Sequence, residues 1–372
     1  LYENIVDLVL ARTPGAPKGT KGLSLFLVPR YKIKEGERES NDVHCSKVEE
    51  KMGIHGSATC EMIFGGSGNC EGYLIGKEFS GMENMFLMMN EARLLCGSQG
   101  ESQGYLAFEQ SLQYAKQRTQ FTIPIIEHPD VKRMLLKMRA ICRGMRAFLF
   151  YTARHFDCLD HNKGDKKQLE AQVALLTPVC KSWCTDQGFA VSVDAIQVHG
   201  GYGYCTEYGI EQFARDSKIA TIYEGTNGIQ AIDFLTRKIL RDEGGALIFL
   251  FKKIEASLKG APAEWKGEIS LIKQSLKQGY AFLQHYADLI KAKKINQMLA
   301  SSTDFLNFSG NLIIAWLLFE HAVLAKKKEK EDAYYASKIV DFKTFCQYVL
   351  VQNSALYSSV FDFKRNDKEM FL

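Results

Sequence analysis

The sequence predicts a mostly α-helical fold with a partial β domain at its start. Three observations carry this. Short β-branched runs broken by Gly and Pro occupy residues 1–79, apolar stripes at helical spacing begin after Gly81, and the pattern stays helical to Leu372.

Within the β region, Ile5 to Ala11 and Leu23 to Val28 read as strands, separated by the turn-forming segment TPGAPKGTKG. Pro29 ends the second run. Val48 to Gly53 and Gly56 to Ile63 read as further short strands, and Tyr73 to Ile75 closes the region. Two of these strands would carry open edges, which invite pairing, so sheet partners upstream of Leu1 are expected. From Gly81 to about Phe156 the reading is two long helices. In the second, Val131, Leu135, Met138, Cys142, Met145 and Leu149 form a core stripe, with Asp130 as the expected cap. A polar break from Asp157 to Asp165 ends it. Another helix runs from about Lys167 to Val198, Gly200 to Tyr208 is a loop, and shorter helices cover Ile210 to Ile222 and Ile229 to Leu240. After Gly244-Gly245, roughly four amphipathic segments are expected, with breaks near Gly260–Pro262, Lys291–Lys294 and Lys326–Asp332. The implied division is a partial β domain (1–79), a helical bundle (80–243) and an additional helical domain (244–372).

Composition narrows the function classes. Hydrophobic residues make up 46% and charged ones 24%, ordinary for a soluble globular protein. A net charge of +4 is too mild to imply nucleic acid but suits an acidic small ligand. The ten cysteines have no repeating spacing. Cys180 and Cys184 lie a helical turn apart without an accompanying His or second Cys pair, so no metal site is expected. Such cysteines fit a reducing compartment, a cytoplasm of the bacterial type. No apolar run reaches bilayer-spanning length, so no membrane span is expected. The longest, Leu312 to Phe319, reads as a buried helix. The chain opens on Leu1 rather than Met, in what reads as the middle of a strand region, so its beginning is expected upstream.

Four segments could carry chemistry. In Tyr223-Glu224-Gly225-Thr226, a carboxylate stands on a turn beside a Gly that lets a ligand approach the backbone, an arrangement suited to a general base. Thr226 and Asn227 can cap the helix that follows, and the residues alone equally allow a capped helix start with an incidental Glu. Gln197 to Tyr204 offers an amide and the Gly200-Gly201 pair for close ligand approach, or simply a helix C-terminal Gly with a satisfied His199. Arg118-Thr119-Gln120-Phe121 follows a helix; Arg suits a phosphate and Phe a planar ring. In MMNEAR, Glu91 is either a second acid or an outer-face residue. The stripe Met82, Met85, Met88 and Met89 is read as core.

Taken in order, RTQF, QVHGGYGY and ARDSKIATIYEGTNGIQ, with KMGIHGSATCEMIF and LIGKEFSGMENMFLMMNEARL before them, resemble the acyl-CoA dehydrogenase family over about residues 1–241. KMGIHGS and the helical segment after residue 245 resemble the subgroup with an extra C-terminal helical domain. The resemblance implies a four-helix bundle with that added domain, and the absence of the family's N-terminal helical domain from this chain. It implies FAD as cofactor, an acyl-CoA substrate, an electron-transferring flavoprotein as electron acceptor, and a homodimer or homotetramer. Glu224 would be the base that takes the substrate's α-proton. Arg118, Gln120, Phe121, Gln197, Gly200, Gly201 and Thr226 would contact FAD, and Asn90, Arg93, Tyr223 and Gly225 the substrate. Members that place the base on the first bundle helix do so immediately before the Arg matching Arg93, where this chain has Ala92. Gly228 stands where many relatives carry a polar residue near the adenine. If the protein began at Leu1, FAD affinity should be poor. Two alternatives stay open: an oxidase passing electrons to oxygen, and a non-catalytic, DNA-binding member of the scaffold.

Overall fold

The computed structural model describes residues 4–362, which divide between Ala92 and Arg93 into two compact units. In the first, β1 (Val6–Ala11) pairs antiparallel with β2 (Ser24–Pro29), with Leu8 opposite Leu27. The Tyr31–Lys34 (β3) and Glu37–Ser40 (β4) strands form a hairpin, Val43–Val48 (β5) pairs with Cys60–Phe64 (β6), and β7 (Tyr73–Ile75) returns to β2. Leu25, Val28 and Val43 are buried. Asn41 is wholly buried among them; its side chain donates to the carbonyls of Pro29 (2.7 Å) and Glu71 (2.8 Å) and accepts from the Glu71 N–H (2.9 Å).

Two strand expectations need correction. Residues 49–59 lie outside the strands, and the partner of β6 is the preceding segment, β5. That segment escaped the apolar-run criterion because five of its six residues are solvent-exposed. The β3–β4 hairpin was not anticipated, since its residues alternate charge rather than apolar character. Its signal was Glu35-Gly36, whose φ values of 51° and 87° are those of a two-residue primed turn.

The second unit is helical. α1 (Gly81–Gln117) begins in the first unit and continues into the second. A tight hairpin of β8 (Thr119–Gln120) and β9 (Ile123–Pro124) leads to α2 (Pro129–Asp160) and α3 (Lys166–His199). Then come α4 (Ile210–Lys218) and α5 (Asn227–Asp233), extended by a π-helical turn over Phe234–Ile239. α6 (Gly245–Ser257), α7 (Lys266–Lys291), α8 (Ile295–Ala300), α9 (Ser302–Lys326), α10 (Ala333–Tyr348) and α11 (Asn353–Phe361) complete it. The three expected breaks fall where Gly, Pro and charge runs put them, but two more, at Ser301 and over residues 349–352, make six helices of the expected four among the described residues.

The stripe on α2 faces the core as its spacing requires: Leu135, Met138, Cys142, Met145 and Leu149 are buried. Asp130 is not the cap. Pro129, with its fixed φ and no N–H, takes the first helical position, so His128 is the N-cap and Asp130 pairs with Arg133 at 2.7 Å. The methionine stripe on α1 is not core either. Met88 is 51% exposed and Met82, Met85 and Met89 are only half-buried.

α9 corrects the expectation about apolar length. It is long and apolar enough to cross a membrane, yet 78% of its apolar window is buried inside the unit. It packs on α2, α3 and α10. Asn311 on it accepts from Trp183 Nε1 (2.8 Å) and donates to Asn353 (2.9 Å), joining α3, α9 and α11 through buried polar contacts. All ten cysteines are free thiols. Among the described residues no three His, Cys, Asp or Glu side chains group as metal ligands.

α1 and α3 cross at contact distance because both present glycine. A Cβ on Gly188 would lie 2.1 Å from the Gly100 carbonyl oxygen, and one on Gly100 would lie 2.6 Å from that of Cys184. Backbone cannot step aside as a side chain does. Gly188→Ala is therefore expected to destabilise the unit by about 3 kcal/mol, the upper end for overpacking, read as a lowered denaturant midpoint. An unchanged midpoint would show that the crossing is looser than this.

Candidate functional site

Two constellations form in the second unit. The first begins where α1 ends. Arg118 leads into the β8–β9 hairpin, whose turn residues Phe121 (φ 51°) and Thr122 (φ 73°) both adopt left-handed backbone, unusual for residues bearing a Cβ. The Ile125 N–H donates to the Arg118 carbonyl at 2.8 Å and closes the hairpin. This geometry puts Phe121 at the tip, 81% exposed, where a ring packed for stability alone would gain little.

Facing it is the end of α3. Gly200 terminates the helix with φ 61°, and its N–H donates back to the Gln197 carbonyl. A 3-10 turn over Gly200–Tyr204 follows. The Arg118 guanidinium lies over the Tyr202 ring, 5.1 Å from its centroid. Between hairpin and helix end opens a cleft of about 730 Å³ lined by Arg118, Gln120, Phe121, His128, Gln197, Gly200 and Gly201, among others. A Cβ on Gly200 or Gly201 would meet nothing within 4 Å. The bare backbone there faces open space, as a cradle for a ligand requires. His199 is a satisfied residue: it is buried, its Nδ1 lies 2.8 Å from the Ala195 carbonyl, and it stacks on Tyr114 at 4.2 Å. Burial holds its pKa below the ordinary histidine range.

The second constellation is the Glu224 turn, between α4 and α5. Glu224 has φ 57° and Gly225 φ 83°, two successive left-handed residues. Thr226 caps α5, its Oγ1 accepting from the Ile229 N–H at 3.2 Å. Asn227, expected as an alternative cap, is instead buried and turned inward. Lys181 on α3, wholly buried, donates to the Gly225 carbonyl (2.9 Å) and to Asn227 Oδ1 (2.8 Å). Asn227 Nδ2 contacts the Ser182 carbonyl (3.2 Å), Thr185 Oγ1 (3.1 Å) and Asp186 Oδ1 (2.8 Å). Gln230 Nε2 donates to the Glu224 carbonyl at 3.0 Å and the Gly225 carbonyl at 3.3 Å. Glu224, half-buried, thus stands on a backbone held by side chains from two helices.

Burial lowers the Lys181 pKa from its ordinary value, opposed by Cys96, Asp186 and Glu224 nearby. Burial raises Asp186, opposed by the Asn227 amide. The Cys96 thiol, hydrogen-bonded to the Ala220 carbonyl at 3.4 Å, is pushed up to about 11 by burial. It is not a thiolate at neutral pH. Tyr223 donates its hydroxyl to Gln99 Oε1.

The structure therefore gathers Arg118, Gln120, Phe121, Gln197, Gly200 and Gly201 in one cleft, and Glu224, Tyr223, Gly225 and Thr226 in one turn. Thr226 lines the turn and not the cleft. Arg93 is buried in an ion pair with Asp233 of α5 (3.2 Å), which also meets Arg237 at 3.6 Å. Asn90 is half-buried on the stretch of α1 in the first unit, and Glu91 is exposed. Sequence reasoning missed Lys181, Asn227 as a buried ligand of Lys181, and Gln230. A single Lys inside the apolar run PVCKSWC was the available signal.

Comparison with known proteins bears on the family. Residues 80–239 match the family described as acyl-CoA dehydrogenase, C-terminal domain, and residues 250–366 match acetyl-CoA dehydrogenase C-terminal like. The chain is 38% identical to 3-methylmercaptopropionyl-CoA dehydrogenase of Ruegeria pomeroyi, over 97% of this chain and 64% of that protein. It is 37% identical to a broad-specificity linear acyl-CoA dehydrogenase of Mycobacterium tuberculosis, over 87% of this chain and 57% of that one. An acyl-CoA dehydrogenase structure from Bacillus anthracis, complexed with FAD, shares the fold with a TM-score of 0.78 at 23% identity, covering 97% of this chain and 62% of its own. The chain thus spans less than two thirds of the length of each.

Proposed function

Since the chain belongs to the acyl-CoA dehydrogenase family and carries its C-terminal domain, we propose that it takes part in FAD-dependent α,β-dehydrogenation of an acyl-CoA thioester, with Glu224 as the base. The observation that carries this is the turn itself. A half-buried carboxylate sits on two left-handed residues, beside a glycine and ahead of a capped helix. At the family's other base position the chain has Ala92, which cannot take a proton.

The cleft residues fit FAD. Arg118 offers a fixed cation for phosphate oxygens, Gly200 and Gly201 offer uncovered backbone, and Phe121 offers an exposed face for a planar ring. Thr226, at the turn, is a further contact. The cofactor, when bound, supplies the hydride acceptor for the substrate's β-carbon. The chain supplies the rest. Glu224 removes the α-proton, and the backbone N–H of Glu224 polarises the thioester carbonyl, which raises α-carbon acidity. Tyr223 and Gly225 are the proposed substrate contacts of this unit. Arg93, held by Asp233, anchors α5 and so the turn. An electron-transferring flavoprotein is the proposed electron acceptor. A homodimer or homotetramer is the proposed assembly, with the cleft serving FAD at a subunit interface. The divisions at 1–79, 80–243 and 244–372 are the proposed domains.

The test is made on the protein as the cell produces it. It should purify with FAD, convert a saturated acyl-CoA to its enoyl product, and reduce an electron-transferring flavoprotein. Stoichiometric peroxide release in place of that reduction would identify an oxidase. Absence of flavin together with salt-dependent DNA retention would instead identify the non-catalytic binder.

A further inference from the structure

Beneath the proposed base, and resting on that assignment, we infer that Lys181 is a positioning residue which holds the Glu224 turn in its reactive conformation. A left-handed backbone is strained for a residue bearing a Cβ and persists only where surrounding structure over-determines it. Glu224 is in that state, and the glycine after it shares it. No strand or helix hydrogen bonds fix these two residues. Their carbonyls are gripped by side chains from below instead.

Lys181 makes the stronger grip. It is wholly buried and aimed at the Gly225 carbonyl, so its hydrogen bond lies in a setting that excludes water, where it is stronger than in solvent. A buried lysine nitrogen that lost its acceptors would bear an uncompensated desolvation penalty. The lysine and the turn are therefore locked together: if the turn relaxes to an ordinary backbone, the carbonyl leaves Lys181. Asn227 closes the ring. It takes a second Lys181 hydrogen bond and fastens its other end to Ser182, Thr185 and Asp186 of the same helix. α3 thus dictates where the turn sits, although the two Lys181 hydrogen bonds go to the Gly225 carbonyl and the Asn227 side chain and not to the Glu224 carboxylate. A lysine present only to pack the core would have no reason to direct its nitrogen at this turn.

The discriminating experiment compares wild type with Lys181→Met, which keeps the stem and removes the nitrogen. Amide hydrogen exchange is followed in the Tyr223–Asn227 segment, with α2 and α9 as internal controls. About 10- to 100-fold faster exchange is expected in that segment alone. In the FAD-loaded enzyme kcat should fall about 10- to 100-fold with KM within about threefold, because base geometry slackens while substrate contacts stay. Unchanged exchange in the turn overturns the inference, as does acceleration spread equally over α2 and α9, the mark of an ordinary core residue. If Lys181→Met does not fold, Thr185→Val loosens Asn227 alone and should show the same local signature at smaller amplitude. Its absence there also overturns the inference. Glu224→Gln measured alongside separates the two claims: retained turnover in that variant defeats the base assignment, whereas the exchange data judge the clamp.

Discussion

Glu224→Gln is expected to lower acyl-CoA turnover about a thousandfold, within the range for loss of a positioned general base, with flavin content unchanged. Glutamine has the size of glutamate but no lone pair basic enough to take a carbon-bound proton. The braces from Lys181 and Gln230 reach backbone carbonyls and not this side chain, so the turn should keep its shape. Flavin content should hold because six of the seven proposed cofactor contacts lie in the cleft between the hairpin and the end of α3, and the seventh is Thr226. Loss of flavin together with turnover would mean that Glu224 supports the fold instead of the chemistry.

Asp341→Ala should produce a large stability loss. Asp341 on α10 is fully buried and faces two arginines of α2. Arg139 lies at 2.7 Å, Arg143 makes the second ion pair, and Arg143 also donates to Ser337 at 2.8 Å. Removing one partner of a buried pair leaves charge stranded, at about 3–5 kcal/mol. Here both arginine side chains keep about a quarter of their surface in water, 26% and 25%. Water can therefore soften the loss, and we expect about 2–4 kcal/mol. Chemical denaturation should show it as a lowered midpoint. Asp341→Asn, which keeps one acceptor and the shape, should fall between wild type and Ala. A change under about 0.5 kcal/mol would place the pair with ordinary surface ion pairs.

The helical part of the fold was legible because its signals are local. The α2 stripe repeats at helical spacing, and the three breaks expected after residue 244 follow Gly, Pro and charge runs, whereas those at Ser301 and residues 349–352 carry no such signal. The β3–β4 hairpin and β5 were illegible for the opposite reason. Their residues are exposed and charged, so no apolar alternation marks them, and only Glu35-Gly36 betrayed the first. α9 misled in another way. Its composition suits lipid as well as a protein interior, and only its neighbours decide between them.

The candidate site divides similarly. RTQF, QVHGGYGY and YEGT stood out by resemblance, whereas each taken alone read as a helix end or a cap. The clamp on the turn was hidden because Lys181 and Gly225 are distant in sequence and meet only once α3 and α5 have packed. Gly100 and Gly188 were hidden alike: each is a weak point of its own helix until the other lies against it.

The base assignment is tested most directly by anaerobic single-turnover mixing of a saturated acyl-CoA with wild type and Glu224→Gln at matched flavin content. Bleaching of the flavin should be about a thousandfold slower in the variant, with the flavin still bound. Bleaching at the wild-type rate would contradict Glu224 as the base.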